Sequence, residues 1–303
     1  MTLNGRGARA PRRRVDGVLL LDKPVGVSSN AALQRARRAY NAEKAGHTGT
    51  LDPLASGLLP VCFGEAAKFA RFLLDADKRY TATVRFGVTT TTLDAEGEVV
   101  ARSDVTIDRA DIEAALPAFT GRIRQVPPAY SALKHQGRSH YEYARAGIDV
   151  PREAREIHVA SLRLIEWATP DAVLEVACSK GTYVRTLAAD LGEALRCGAH
   201  LAALRRTATG GFDIAAAIAL DRLEATPVEA RDRLLLPVDA LLGALPRVEV
   251  GDADALHLRH GRPIVTECPH GAFVRVYDGL GNLLGVVSSE SETLTPLRMM
   301  ASG

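Results

Sequence analysis

Asp52 is the acidic residue with the most unusual surroundings in this sequence. It lies in the stretch GHTGTLDPLASG, and residues 45–64 contain no other acidic residue and no Lys or Arg. An ionised carboxylate in apolar surroundings is costly unless an opposite charge or hydrogen bonds compensate it. Two interpretations follow from the residues. Asp52 caps a turn before Pro53, or it is held for chemistry in a closely packed backbone that leaves the carboxylate facing a ligand.

Three further side chains suit a binding site by type and position. Arg185 begins a helix in CSKGTYVRTLAADLG directly after an apolar strand, and an arginine pairs with a carboxylate through two parallel hydrogen bonds. Tyr80 starts an alternating strand, where its ring would pack in a core or stack on a flat ligand. His47, beside two glycines, either fills a turn or inserts into a nucleic acid. Spacing alone leaves both interpretations of each side chain open.

Composition and charge limit the possible function classes. The 303 residues are 47% hydrophobic and 24% charged, which is ordinary for a globular protein of one or two domains. The net charge is only +2, but residues 1–40 carry nine Lys or Arg against two Asp or Glu, and residues 121–145 carry five against one. Such basic stretches suit contact with phosphate, and a solvated face is the alternative. Because both the phosphate-loop and GxGxxG patterns are missing, no nucleotide cofactor is expected.

The cysteines and the N-terminus bear on compartment. The four cysteines, Cys62, Cys178, Cys197 and Cys268, are too widely spaced for a CxxC zinc site. Their apolar neighbours predict buried, reduced thiols in a reducing cytoplasm, without a structural metal. No run of 18 apolar residues exists, so no membrane span is expected. Residues 1–14 lack the apolar segment of a secretion signal and are interpreted as a flexible basic arm.

Hydrophobic periodicity predicts the elements that must position these residues. A buried strand over residues 18–21 ends before a Lys-Pro pair, and Ser28 or Ser29 then caps a basic helix. Residues 80–88 alternate as a half-buried strand. Thr182 is expected to be the N-cap of the helix that carries Arg185.

Two other regions complete the predicted organisation. Residues 121–150 are basic and aromatic, contain a Pro-Pro pair, and are predicted to form a long functional loop with a short helix. The composition changes near Pro246. Short alternating strands after this point predict a small β-rich domain over residues 247–303, although its five Lys or Arg against seven Asp or Glu give weak support for RNA binding.

Four stretches, DKPVGVSSN, GHTGTLDPLASGLLPVCFGEAAKFA, KRYTATVRFG and CSKGTYVRTLAADLG, follow one another over about residues 15–215. In this order and spacing they resemble one family, the TruB-type bacterial tRNA pseudouridine synthases that modify uridine 55 of the T-loop. QVPPAYSALKHQGRSHYEYARAG is similar to the family's thumb-like insertion. Ser28 and Ser56 stand where the family often has threonine, and both keep the hydroxyl.

The resemblance implies a fold and a set of domains. The implied fold is α+β and pseudouridine-synthase-like, with a mixed, largely antiparallel central sheet flanked by helices and loops. A catalytic domain over residues 15–246 would follow the arm of residues 1–14, with an RNA-binding insertion over about 121–150. The last domain, over 247–303, would be a PUA-like RNA-binding domain.

The resemblance also implies residue roles. Asp52 matches the catalytic aspartate, Arg185 matches its ion-pair partner, and Tyr80 matches the tyrosine that stacks on the target base. His47 would fill the space left by the flipped nucleotide, and Lys23 would support the active-site loop. The implied RNA-binding residues are His47, Lys23, Tyr183, Leu204, Arg122, Arg124, Lys134 and Arg138. The implied reaction isomerises uridine in the T-arm stem-loop of tRNA, without metal or cofactor, by a cytoplasmic monomer.

Three other functions remain open at this point. A tRNA-folding protein without chemistry would use the same basic insertion and would tolerate Asp52→Asn. A glycoside hydrolase with an aspartate nucleophile would need a second carboxylate as general acid, and Glu65 and Asp94 are the nearest candidates. A relative that acts through a guide-RNA complex is the third, and the compact chain and insertion favour stand-alone action instead.

Overall fold

The computed structural model describes residues 11–131, 133–267 and 271–301. Residues 1–10 of the predicted arm and Cys268 lie outside this part of the chain. The strands of the described residues are β1 (Gly17–Lys23), β2 (Ala45–His47), β3 (Ala55–Phe63), β4 (Lys78–Phe86), β5 (Val88–Thr90), β6 (Val99–Arg102), β7 (Gly121–Gln125), β8 (Lys134–His135), β9 (Arg138–Ser139), β10 (Arg155–Ala168), β11 (Asp171–Cys178), β12 (Ala199–Thr209), β13 (Phe212–Asp213), β14 (Ile218–Ala219), β15 (Arg247–Glu249), β16 (Ile264–Val265), β17 (Gly271–Tyr277), β18 (Leu283–Glu290) and β19 (Thr293–Met299). The α-helices are α1 (Ser29–Ala39), α2 (Ala70–Leu74), α3 (Arg109–Ala115), α4 (His140–Arg145), α5 (Val184–Ala194), α6 (Leu220–Ala225), α7 (Val228–Arg231) and α8 (Asp252–Arg259).

One large sheet carries the central part of the chain. Its strand order is β14-β1-β3-β12-β4-β11-β10-β7, with β2 beside β3 and β13 beside β12. Neighbouring strands are antiparallel except for the pairs β1–β14 and β3–β12, which are parallel. This arrangement confirms the predicted mixed, largely antiparallel sheet within an α+β fold.

The first strand is buried on both faces, which explains its continuous apolar run. Leu19 and Leu21 pack with Leu33 of α1 in one cluster. Val18 and Leu20 face the other way and pack in a second cluster with Phe69 and Leu242. A strand covered on both faces shows no alternation of apolar and polar residues. The helix that follows begins as predicted, because the Ser28 hydroxyl accepts a hydrogen bond of 3.1 Å from the backbone N–H of Ala31.

The other half of the sheet supports the helix that carries Arg185. Phe86 of β4 and Leu174 of β11 pack against Leu187 and Leu191 of α5, in a separate cluster from that of α1. Tyr80 packs against both clusters, as does Leu204. Tyr80 and Leu204 therefore lie at the junction between the two clusters, beside the cavity described below.

Two sequence predictions need correction in this part of the chain. Residues 121–125 are strand β7 of the central sheet rather than loop, with Ile123 paired to Ile157 of β10. Ile123 and Gln125 face inward and the two arginines face outward, but Ile123 is the one large apolar side chain of β7, so the hydrophobic signal is weak. The rest of the insertion is the β8–β9 hairpin and α4. Residues 11–14 are also not free, because Arg13 bonds to the backbone of Asn41 and Glu43 and pairs with Asp232.

The C-terminal residues form a second sheet of order β15-β17-β18-β19-β16, with α8 packed on it. This β-rich unit begins at Arg247, directly after the predicted composition change. It contacts the central part through an edge-to-face pair of Phe72 and Phe273, whose ring centres are 5.2 Å apart. Val286 is buried in the same contact region. No helix of the described residues has the length and apolar character needed to span a bilayer.

Candidate active site

A cavity of about 680 Å³ opens at the junction of the two core clusters. This is within the usual size range of small-ligand sites. Its walls are the start of α1, the loop of residues 48–54, strands β4 and β12, the start of α5, and part of the insertion. Asp52, Arg185, Tyr80, His47, Tyr183 and Leu204 all line it. The structure thus brings together six of the residues singled out from the sequence.

Asp52 lies in a tight turn that the neighbouring helix holds in place. The backbone N–H of Ala55 donates to the Asp52 carbonyl over 3.1 Å. On the other side, the buried Ser29 hydroxyl accepts from the N–H of Leu51 over 2.7 Å and bonds to the Leu51 carbonyl over 2.8 Å. The backbone at Asp52 is therefore a turn, as the first interpretation expects, and its side chain, 43% exposed, borders the cavity, as the second requires.

Arg185 connects Asp52 to a second carboxylate. Its Nη2 lies 3.2 Å from Oδ2 of Asp52, and its Nη1 lies 3.2 Å from Oδ2 of Asp94. The guanidinium also donates to the carbonyls of Thr92 and Tyr130, over 3.3 and 2.9 Å. Only 9% of the Arg185 side chain is exposed. A cation so restrained presents one nitrogen to Asp52 in a fixed direction.

The start of α5 differs from its prediction. Tyr183, not Thr182, occupies the N-cap position, and its side chain makes no capping bond. Thr182 instead donates its hydroxyl to the carbonyl of Ser179 over 3.0 Å, which closes the preceding turn. Gln125 of β7 supplies the missing support: its side chain accepts from the Tyr183 N–H over 2.8 Å and donates to the Tyr183 carbonyl over 3.1 Å. The insertion therefore helps to orient the helix that carries Arg185.

Asp94 is a site residue whose role the sequence reasoning missed. Its side chain is 3% exposed, and its Oδ1 accepts from the backbone N–H of Glu96 over 3.1 Å and from the Thr92 hydroxyl. The backbone around it is tied to β12, since Leu201 bonds to both Leu93 and Ala95. The sequence signal was weak, because Asp94 is one of three acids in the loop between β5 and β6 and no local pattern distinguishes it from Glu96 and Glu98.

The surroundings of Asp52 disfavour its charged form. Burial raises the pKa of the Asp52 carboxyl above its ordinary value of 3.8, Arg185 opposes this, and Asp94 adds to the increase. The arginine therefore limits the upward shift but does not reverse it. A carboxylate whose ionisation is disfavoured in a cleft is a common property of functional sites.

Tyr80 and His47 present ring systems to the cavity. Burial raises the pKa of the Tyr80 phenol, so this hydroxyl stays protonated at neutral pH. Burial lowers the pKa of His47, with nearby Arg206 acting in the same direction, so the imidazole is neutral. Nδ1 of His47 is buried and has no hydrogen-bond partner within the described residues. A neutral ring with an unused polar atom suits contact with an uncharged heterocycle.

Lys23 has a supporting position rather than a surface one. Its side chain is fully buried, and Nζ donates to the carbonyls of Pro24 and Val27 over 2.8 and 2.6 Å. Burial lowers the pKa of Lys23 to about 8, while Asp52 and Glu96 act in the opposite direction. These contacts are consistent with a role for Lys23 in supporting the loop after β1. Because the side chain is buried, it offers no exposed surface to RNA.

The basic residues of the insertion lie outside the cavity. Arg122 and Arg124 are exposed on β7, and Lys134 and Arg138 are exposed on the β8–β9 hairpin. Arg122 makes a long contact of 3.6 Å with Glu156. Mostly solvent-facing cations near a cleft contribute by long-range attraction more than by fixed geometry.

Comparison with known proteins identifies the family. Family models match residues 37–184 as "TruB family pseudouridylate synthase (N terminal domain)", residues 185–243 as "tRNA pseudouridylate synthase B C-terminal domain", and residues 246–300 as "Pseudouridine synthase II TruB, C-terminal". A tRNA pseudouridine synthase B of Thiobacillus denitrificans is 57% identical over 96% of this chain and 98% of its own. This chain belongs to the TruB family. The TruB-type synthase of Chromobacterium violaceum is 54% identical over 97% of each chain.

Solved structures agree with the TruB fold. A chain in "Crystal Structure of a Cbf5-Nop10-Gar1 Complex" superposes with a TM-score of 0.70 at 26% identity, over 90% of this chain and 78% of that one. A chain of the archaeal box H/ACA sRNP Nop10-Cbf5 complex gives a TM-score of 0.73 at 22% identity, over 98% and 93%. The second likeness, at its low identity, concerns the fold alone.

Proposed function

We propose that this TruB-family chain converts uridine 55 in the T-loop of tRNA to pseudouridine, with Asp52 as the nucleophile. The observation that carries the proposal is the Asp52–Arg185 ion pair of 3.2 Å at the edge of a nucleoside-sized cavity. Family membership and the tRNA-directed names of its relatives support the substrate. A single chain holds every group that the proposal uses, and its place of action would be the cytoplasm.

The proposed reaction rearranges bonds within the uridine, so it uses a nucleophile and an enclosed site and no cofactor. The N1–C1′ bond of uridine breaks, the uracil turns, and C5 bonds to C1′, while the C5 proton leaves and N1 gains a proton. Atoms and electrons balance within the substrate and water. Asp52 would form a transient covalent bond to C6 of the uracil or to C1′ of the ribose, and this bond would break again before the product leaves, which divides one difficult step into two. Arg185 would hold the carboxylate in its reactive rotamer.

The cavity suits a base that has left its stack. Enzymes that act on a base inside structured nucleic acid flip it into a pocket, which costs a few kcal/mol. Stacking on the Tyr80 ring would offset part of that cost, by about 1–3 kcal/mol. The neutral imidazole of His47 would occupy the vacated position in the RNA. Arg122, Arg124, Lys134 and Arg138 would contact phosphates, which position the RNA without specifying sequence.

The glycoside-hydrolase alternative requires a second carboxylate at the cavity, and neither of its two candidates lies there. Asp94 is buried against Arg185 and does not line the cavity. Glu65 pairs with Lys68 over 2.7 Å and accepts from the N–H of Ala301, on the side of the C-terminal sheet. A glycosidase needs its general acid across the substrate from the nucleophile. Neither residue meets that requirement.

Chemical mapping of the product site tests this proposal. Unmodified tRNA would be incubated with the protein and treated with a carbodiimide that marks pseudouridine, and primer extension would locate the mark. A single stop at position 55, lost when that uridine is replaced by cytidine, is expected. A stop at another uridine would contradict the assigned substrate position. Tight tRNA binding without any stop would favour the tRNA-folding alternative.

A further inference from the structure

Arg206 is a buried cation at the cavity that no sequence motif indicated. It lies on β12, is 1% exposed, and is among the largest fully buried side chains of the described chain. Alternation along β12 places it on the same face as Leu204. Burying a guanidinium is costly unless its donors find partners, and such groups are usually compensated by a carboxylate.

The cost of burying the Arg206 guanidinium is offset by hydrogen bonds to backbone carbonyls. Its Nε donates to the carbonyl of Leu58 over 2.6 Å, and its Nη2 donates to the carbonyl of Gly49 over 3.2 Å. Tyr80 lies directly opposite Arg206 in the β4–β12 pair, and both side chains border the cavity. Within residues 11–131, 133–267 and 271–301, no carboxylate oxygen lies within 4.0 Å of it, whereas neighbouring Arg205 pairs with Asp22 over 2.7 Å.

The backbone explains how one side chain reaches three elements. Arg206 stands directly opposite Tyr80 of β4 on one side and Gly57 of β3 on the other. Gly57 has φ of +102°, and a Cβ there would come within 2.3 Å of the Arg206 carbonyl oxygen. This close approach of β3 and β12 places the guanidinium beneath the loop of residues 48–54. The planar fork of arginine can serve several acceptors in fixed directions, which lysine cannot do.

From these contacts we infer that Arg206 is a positioning residue for the isomerisation, fixing the Tyr80 ring relative to the loop that carries Asp52. Gly49 lies between His47 and Asp52 in that loop, so one cation bonds to the segment with the proposed nucleophile and lies opposite the tyrosine proposed to stack on the base. The inference rests on the proposed function for its catalytic meaning. Its structural content is a coupling between Arg206 and the Tyr80 hydroxyl.

A double-mutant cycle tests this coupling. The four proteins are wild type, Arg206→Lys, Tyr80→Phe and the double variant, with Arg206→Gln as a second substitution in case one fails to fold. Single-turnover tritium release from a 5-³H-uridine T-arm stem-loop and RNA binding would be measured on each. Misplacement of a catalytic group is expected to lower the rate of Arg206→Lys about 10- to 100-fold, with RNA affinity within about threefold. In the Tyr80→Phe background, Arg206→Lys is expected to lower the single-turnover rate only about threefold.

A merely structural role gives a different pattern. If the two substitutions lower the rate by independent factors that multiply, the inference is wrong. Arg205→Lys, the exposed neighbour, is the matched control and is expected to keep the wild-type rate. If wild type itself releases no tritium, the proposed function fails before any variant is compared. The unfolding free energies of the four RNA-free proteins then decide the inference: non-additive values support the contact, and additive values contradict it.

Discussion

Asp52 and Asp94 bind different nitrogens of the same guanidinium, each with an oxygen 3.2 Å from Arg185. One carboxylate borders the cavity, and the other is enclosed. Asp94 therefore has two opposing effects on Asp52. It anchors the arginine that restrains Asp52, and its negative charge makes ionisation of Asp52 harder.

The first prediction concerns the pH dependence of the reaction. If Asp52 is the nucleophile, as proposed, it must be ionised to react, so the rate should fall as pH decreases through the pKa of Asp52, which lies above the ordinary 3.8. Asp94→Asn removes a like charge, which lowers the pKa of Asp52. We expect the acid limb of the single-turnover pH–rate profile to move to lower pH, while the maximal rate falls because Arg185 loses an anchor. An unmoved acid limb, or one displaced to higher pH, would contradict this account of the site.

The second prediction concerns stability. The pKa of Asp52 is raised in the folded state, so folding favours the protonated carboxyl over the ionised one. The resulting contribution to the free energy of unfolding is fully present below the unfolded-state pKa and is lost as pH rises through the folded-state pKa. An uncharged amide in place of the carboxylate does not ionise, so Asp52→Asn would not lose this stability at neutral pH. We expect the melting temperature of Asp52→Asn, relative to wild type, to be higher at pH 7 than at about pH 4. Thermal unfolding at both pH values measures this, and an equal difference at the two would count against the raised pKa.

The third prediction tests the approach of β3 to β12. Gly57→Ala adds a Cβ that would lie 2.3 Å from the Arg206 carbonyl oxygen, at a φ that disfavours other residues. We expect a loss of more than about 2 kcal/mol in the free energy of unfolding. Gly46→Ala is the control, because nothing lies within 4 Å of its added Cβ. Equal unfolding free energies for the two variants in denaturant titration would refute the close contact.

The fourth prediction separates RNA binding from chemistry. Lys134→Gln and Arg138→Gln remove exposed cations of the insertion hairpin. Each lost phosphate contact is expected to reduce the slope of log affinity against log salt by about 0.9, with the rate at saturating RNA unchanged. Arg109→Gln on α3, which pairs with Glu113 over 2.7 Å, is the control and should leave the slope unaltered. Wild-type slopes in the hairpin variants would remove these residues from the RNA interface.

The elements around the site were predictable where the signal was local. The Ser28 cap, the alternating strand of Tyr80 and the first-turn position of Arg185 all depend on neighbouring residues, and the structure confirms them. Thr182 was wrong as a cap because a hydroxyl near a helix start has a competing local bond, here to Ser179. Strand β7 was missed because its inward face carries one apolar residue, Ile123, and one polar residue, Gln125, which leaves almost no hydrophobic periodicity.

The less predictable part of the site depends on contacts distant in sequence. Asp94 reaches Arg185 only because its loop bonds to Leu201 of β12, and no local pattern indicates that pairing. Arg206 left an ambiguous signal: a strand that is otherwise largely apolar contains two adjacent arginines, and one of the two must face inward. Such a residue conflicts with core packing and therefore indicates either a buried partner or a functional role.

The most direct test of the central claim compares wild type with Asp52→Asn on an unmodified T-arm stem-loop. Tritium release from 5-³H-uridine would report the chemistry, and RNA affinity would be measured on the same preparations. The account predicts release by wild type, and no detectable release by Asp52→Asn with RNA binding retained. Equal release by both proteins would show that Asp52 is not the nucleophile.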